Sequence, residues 1–250
     1  MHVQDRVAVV TGSGQGIGAG IARALAANGA KVVVNDVAAE RAKSTAAELA
    51  AAGGSVIGVA ADVGTADGAL ALVGRAVEEW GRIDILVNNA GIARDAWLTK
   101  MTEEDWDETL RVNLKSQFLC CREAARHMQE QQSGRIVNIA SRAWLGNPGQ
   151  TSYAASKGGV VALTRTLALE LARFGITVNC VAPALVDTPL FRGLKEEIQE
   201  RLLRTVPLGR IGTPDDIAQA VLSFACDEAS YVTGQILYVC GGRSLSSPAM

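Results

Sequence analysis

Short apolar runs alternate with Ala/Leu/Glu-rich stretches from one end of this 250-residue chain to the other, and that alternation narrows the folds open to it. Residues 6–10, 31–35, 55–60, 83–88, 135–140, 176–181 and 235–239 read as strands. Helical periodicity falls at 17–30, 38–52, 66–80, 103–130, 152–174 and 214–227. Strands that are apolar throughout have no polar face to offer water, so both faces must be covered. The pattern predicts an α/β fold, a doubly wound parallel sheet of about seven strands with helices on both faces. A chain of this length could form one large domain or two small ones. No Pro/Gly/Ser linker or charge block interrupts the alternation, which favours one domain over residues 1–250.

The first strand enters its helix through a glycine-rich turn, RVAVVTGSGQGIG at 6–18. Gly12 allows a tight turn, Gly16 lets main-chain N–H groups approach a pyrophosphate, and Gly18 lets the helix pack close to the strand. The next strand, 31–35, ends at Asp36, about 20 residues on, where a dinucleotide-binding βαβ unit holds ribose hydroxyls. Asp36 could instead cap the helix that begins near Ala38.

Composition excludes several partners. A net charge of -2 offers no footprint for a polyanion, and four Trp, four Phe and three Tyr leave little for base stacking, so nucleic acid is not expected. No apolar run reaches the length of a membrane span, and MHVQDR lacks the apolar core of a signal peptide. Five Cys without a C-x-x-C read as free thiols in the reducing cytoplasm. Two His cannot build a His-based metal site, and no metal is expected.

Tyr153 and Lys157 lie four residues apart, on one face of a helix. A phenol working as a base near neutrality needs its pKa of ~10 lowered by roughly three pH units, about 4 kcal/mol. One positive charge about 4 Å away supplies roughly that much at an effective dielectric of ~20. Y-x-x-x-K is short, and an exposed helical pair is the bland alternative. Removing hydride from a carbinol carbon requires a base at the hydroxyl and a second donor to steady the oxygen. Ser141, twelve residues before Tyr153 at a strand end, can be that donor or an ordinary turn cap. Asn113, on an apolar helix, needs partners if buried, and a structural bond to a neighbouring strand would satisfy it.

TGSGQGIG at 11–18, NNAG at 88–91, Asn113, Ser141, Y-x-x-x-K at 153–157 and ITVNCVAPALVDTPL at 176–190 together resemble the short-chain dehydrogenase/reductase family over nearly the whole chain. The resemblance implies a Rossmann sheet, a nicotinamide dinucleotide, and hydride transfer between an alcohol and a carbonyl. It makes Tyr153 the acid/base, Lys157 its pKa-lowering partner and a ribose ligand, Ser141 a donor to the substrate oxygen, and Asn113 the holder of a relay water. It sets the cofactor residues as Gly12, Ser13, Gln15, Gly16, Ile17, Gly18, Asp36, Val37, Asp62, Val63, Asn89, Ala90, Gly91, Tyr153, Lys157, Pro183, Val186 and Thr188. Asp62 would face the adenine, and Thr188 with the Val186 main chain the carboxamide. The family usually has Pro-Gly where this chain has Pro183-Ala184, so the added methyl bears on the local backbone.

Within the family the pattern is closest to 3-oxoacyl-[acyl-carrier-protein] reductases, which would imply NADPH and a β-ketoacyl thioester. Asp36 argues for NAD instead, because a carboxylate repels a 2′-phosphate and no Lys or Arg lies between 12 and 22. The carrier-docking positions hold Glu130, Gln131, Gln132 and Phe174 rather than basic residues. The expected function is NAD-dependent oxidation of a small secondary alcohol or reduction of its ketone. Arg142, Trp144, Leu185 and Leu190, with Ser141 and Tyr153, should line the substrate pocket, with 190–205 as a lid, although Trp144 could equally be packing. A dinucleotide sensor without catalysis is a separate alternative. Surplus apolar residues on helices 103–130 and 152–174 point to a homo-oligomer, and the resemblance implies a homotetramer.

Overall fold

In the computed structural model, residues 2–245 are described, the side chain of Leu190 excepted. Seven strands form one parallel sheet in the order β3-β2-β1-β4-β5-β6-β7. They are β1 (Val7–Val10), β2 (Lys31–Asp36), β3 (Val56–Ala60), β4 (Ile85–Asn88), β5 (Gly134–Ile139), β6 (Ile176–Pro183) and β7 (Ile236–Val239). Register places Val10 beside Val34 on one side and Val87 on the other. The apolar central strands β1, β4, β5 and β6 are buried along their whole length, as a sheet covered on both faces requires.

Helices α1 (Gly16–Ala27), α2 (Ala39–Ala51), α3 (Ala66–Trp80), α4 (Glu103–Leu110), α5 (Ser116–Gln131), α6 (Thr151–Leu171), α7 (Pro189–Arg192), α8 (Glu196–Leu203) and α9 (Pro214–Ala225) complete the fold. Ile21 and Leu25 of α1, Leu49 of α2 and Val221 of α9 fill the core on one face of the sheet. Leu72 of α3, Leu119 and Met128 of α5, and Leu171 of α6 fill the other. Among the described residues no helix is long and apolar enough to cross a membrane.

One expectation changes. The helix expected at 103–130 is broken by a π turn, Arg111–Lys115, that carries Asn113. The 190–205 segment, expected as a lid, holds α8 and most of α7. Strand order reverses between β1 and β4, and the carboxyl ends on either side of that reversal open a cleft, the usual ligand position in such a sheet.

Candidate functional site

The cleft, about 660 Å³, runs from the end of β2 past the start of α1 to the end of β6. Gly12 and Gly16 turn the chain into α1 with φ of +60° and +59°. A side chain at Gly18 would strike the Gly12 carbonyl and the Asn89 amide, so only glycine lets this helix start against the strand. No side chain caps α1, and its first residues line the cleft, which leaves main-chain N–H groups and the positive helix end turned to an anion. Asn89 fixes the neighbouring turn: its Nδ2 donates to the Thr11 and Gly12 carbonyls, both at 2.9 Å. The Asn89 and Ala90 amides donate to Thr11 Oγ1 at 2.9 and 3.0 Å.

Asp36 ends β2 almost fully buried on the cleft wall. Its Oδ1 accepts from the Ala38 amide at 3.0 Å, a tight turn ahead of α2 rather than the helix cap, since Ala38 is itself the N-cap and no side chain caps that helix. The same oxygen accepts from Arg41 Nε and Nη2 at 3.1 and 2.8 Å. Arg41 also lines the cleft, a cation that lies outside residues 12–22, where the sequence has none. Asp62 meets Arg111 Nη1 at 2.9 Å, and Arg111 in turn forks onto Glu108, which holds the Glu108 carboxyl below its usual range. Val37, Val63, Gln15, Ile17, Gly91, Pro183 and Thr188 lie on the wall as expected of them. Ala184 is also there and does not adopt a positive φ, so its methyl is accommodated without strain.

Ser141, Tyr153 and Lys157 share the opposite wall. Ser141 follows β5 and caps a helical turn, accepting from the Ala143 amide at 3.1 Å. The neighbouring Ser141 hydroxyl pulls the Tyr153 phenol's pKa down, against the larger upward push of burial. The net direction is up, contrary to the expectation that Lys157 depresses it. Lys157 donates to the Ile139 carbonyl at 2.8 Å, and its ammonium sits 5.7 Å from the centre of the Tyr153 ring. Burial lowers the lysine to about 8. The four-residue spacing thus brings the two side chains together, but a main-chain carbonyl takes the ammonium.

Asn113 is fully buried in its π turn. Its Oδ1 accepts from the Ile92 amide at 2.8 Å, while Nδ2 donates to the Ile92 carbonyl at 2.9 Å and to Ser156 Oγ at 3.1 Å. Both side-chain donors are therefore committed to structure. Five other residues stand away from the wall. Ser13 Oγ donates to the Val10 carbonyl inside the turn. Val186 is core and pairs with Gly212, and the Leu185 carbonyl accepts from the Gly212 amide at 3.0 Å. Arg142 is buried beside Ser141 in the chain, and Trp144 packs against the buried cluster of Ala140, Val160, Val161, Cys180 and Ala182, the packing alternative. Leu190's side chain lies outside the described residues.

Ser141, Tyr153 and Lys157 facing a glycine turn and a strand-end acid is an arrangement also found in known proteins. The family described as Enoyl-(Acyl carrier protein) reductase (adh_short_C2) matches residues 12–244. The chain belongs to the short-chain dehydrogenase/reductase family. Among family members, the (2S)-[(R)-hydroxy(phenyl)methyl]succinyl-CoA dehydrogenase subunit BbsD of Thauera aromatica is 52% identical over 98% of this chain and 99% of its own. A 3-oxoacyl-[acyl-carrier-protein] reductase of Thermotoga maritima is 43% identical over 97% and 99%. The solved structure of levodione reductase superposes with a TM-score of 0.94 at 35% identity, covering 98% of this chain and 99% of that one. This family member is therefore an oxidoreductase acting on hydroxyl or keto groups.

Proposed function

We propose that the chain is an NAD(H)-dependent dehydrogenase of a small secondary alcohol, or reductase of its ketone, with Tyr153 as acid/base. The observation that carries this reading is that Ser141, Tyr153 and Lys157 line the same cleft as Asp36. The uncapped α1 N-terminus fits a pyrophosphate and Asp36 fits ribose hydroxyls. A bound nicotinamide dinucleotide supplies the hydride acceptor or donor. The chain's own residues do the rest. Ser141 donates to the substrate oxygen, Tyr153 takes the hydroxyl proton in oxidation or gives it in reduction, and Lys157, released from Ile139, holds ribose and steadies the phenolate. The relative in Thauera carries a hydroxy(phenyl)methyl group in its substrate's name, which favours a secondary alcohol.

A second reading, reduction of a 3-oxoacyl thioester with NADPH, is favoured by the Thermotoga relative and by Arg41, a cation placed where a 2′-phosphate would need one. Measuring kcat/KM for both cofactors, with a panel of alcohols and ketones and one 3-oxoacyl thioester, decides between them. NAD preference on an alcohol supports the first reading; equal or better use of NADP supports the second. No turnover of any substrate leaves a dinucleotide sensor. A homotetramer in the cytoplasm is the proposed assembly, with exposed Phe118 on α5 and the groove it shares with Leu114 and Leu163 as the surface covered. Light scattering should give four chain masses, and a clean monomer at micromolar concentration would exclude the assembly.

A further inference from the structure

Beyond the end of β3 the cleft wall runs through Ala61, Asp62 and Val63, and Val37, Arg111 and Val112 complete it on that side. The Asp62 side chain is 41% exposed, yet both of its oxygens are held. Oδ1 accepts from the Gly64 amide at 2.9 Å, and Oδ2 accepts from Arg111 Nη1 at 2.9 Å. Arg111 is held in turn, because its Nε and Nη2 fork onto Glu108 at 2.6 and 2.9 Å. Gly64 leaves room for this: a Cβ there would collide with Arg111 Nη1 and come within 2.9 Å of its Cζ. The π turn that seats Asn113 against Ile92 also carries Arg111 to the wall.

An ion pair this open to water adds little to stability, so stability does not account for a carboxylate braced from two sides. The cleft supplies a use for it. In the sheet, β3 lies beyond β2, away from the strand that ends at Ser141. With pyrophosphate at the α1 end and ribose at Asp36, the base of a dinucleotide therefore falls against Val37, Val63 and Val112, with Asp62 and Arg111 beside it. Apolar side chains suit the faces of a flat ring, and a few placed polar groups select its edge. A carboxylate only accepts, so Asp62 can take the amino group of adenine. Hypoxanthine presents an oxygen at that place and an N–H at the next ring position. A carboxylate free to swing would follow the N–H and bind both bases; one held from two sides would not.

We propose that Arg111 is a positioning residue for the cofactor base: by fixing the Asp62 carboxylate, it makes the cleft select adenine over a purine without the amino group. This deepens the NAD-dependent reading and rests on it for where the base lies. The test is calorimetric titration of the unmodified protein with NAD and with nicotinamide hypoxanthine dinucleotide. NAD should bind at least about 10-fold tighter, in line with a charge-assisted bond that the analogue cannot make. Arg111→Gln should bring the two within about 3-fold of each other. Arg111→Lys should keep part of the preference, since it restores the charge without the fork. Gly64→Ala leaves both charged residues in the chain but displaces the guanidinium, and should also reduce the preference. An unmodified protein without adenine preference, whether both dinucleotides bind equally or neither binds at millimolar concentration, overturns the proposal. So does a ratio unchanged in Arg111→Gln, the result that a brace serving only stability would give. If Arg111→Gln does not fold, a ratio unchanged in both Arg111→Lys and Gly64→Ala overturns it equally. Adenine preference in a protein that turns over no alcohol would instead sink the dehydrogenase reading and leave the role of Arg111 standing, and turnover with NAD without base preference would do the reverse.

Discussion

The two halves of the cleft treat buried polar groups in opposite ways. Around β1 to β3 they are paired. Asn35 accepts from the Gly12 amide at 3.3 Å and donates to the Val59 and Ala61 carbonyls at 3.2 and 3.1 Å, while Ser13 Oγ accepts from the Asn35 amide at 3.0 Å. Around β5 to β7 burial has shifted or stranded them. Tyr153 is pushed up, Lys157 is pulled down, and Arg142 Nε and Ser152 Oγ lack partners. A platform that binds gains from groups locked in place, whereas proton transfer needs groups whose charge state can change. The proposed function puts recognition in the first half and chemistry in the second, and substitutions on either side can break that division.

Tyr153→Phe should have the largest effect, since it keeps the ring and removes only the reacting oxygen. Turnover should fall by at least ~10²-fold while NAD affinity by fluorescence titration is unchanged. Near-normal turnover would remove Tyr153 from the mechanism. Asp36→Ser comes next. The unmodified protein should prefer NAD by about 10²-fold in kcat/KM, and the substitution should erase this by weakening ribose binding and freeing Arg41 for a 2′-phosphate. Adding Arg41→Gln should cancel the gain with NADP. If it does not, Arg41 plays no part in phosphate binding.

Lys157→Met separates activity from stability. With its pKa near 8 in the fold against 10.5 ordinarily, Lys157 binds protons better in the unfolded chain between those values, so its contribution to stability rises with pH across that window. Below pH 8 the whole penalty is present. Denaturant unfolding of the cofactor-free protein at pH 7 should therefore find Lys157→Met more stable by about 2 kcal/mol after allowing for the lost Ile139 bond, while turnover drops. A less stable variant would mean that burial of the ammonium is not penalised. Asn35→Ala is the smallest case. It leaves the Gly12 amide and two strand carbonyls unpaired, at about 1–3 kcal/mol, and should lower the melting temperature while kcat at saturating cofactor stays. A kcat loss there would blur the division between the halves.

What could be read from the sequence follows the same division. The glycine turn, the acid ending β2 and the Tyr153/Lys157 pair are local patterns whose spacing sets their geometry, and each lies on the cleft wall. The residues that were missed or misplaced depend on contacts distant in sequence or on local twists. Arg41 is aimed at the cleft from the first turn of α2, well past residues 12–22 in sequence. Arg142 and Trp144 follow Ser141 directly, yet the tight helical turn there carries them away from the wall. Lys157 was expected at the phenol, but the carbonyl that draws it away belongs to a strand eighteen residues earlier. No sequence spacing encodes that carbonyl.

The π turn at Arg111–Lys115 amounts to one residue inserted into a continuous helix. Each helical residue turns the chain by about 100°, so the insertion sets the phase of α5 relative to α4. Removing one residue there would heal the hydrogen-bond ladder and rotate every side chain before the gap relative to those after it. Asn113 could no longer grip Ile92 while Leu119 and Met128 kept to the core. A one-residue deletion in a solvent-side helix is often harmless; in this helix it would force the fold to choose between its core and the wall of its cleft.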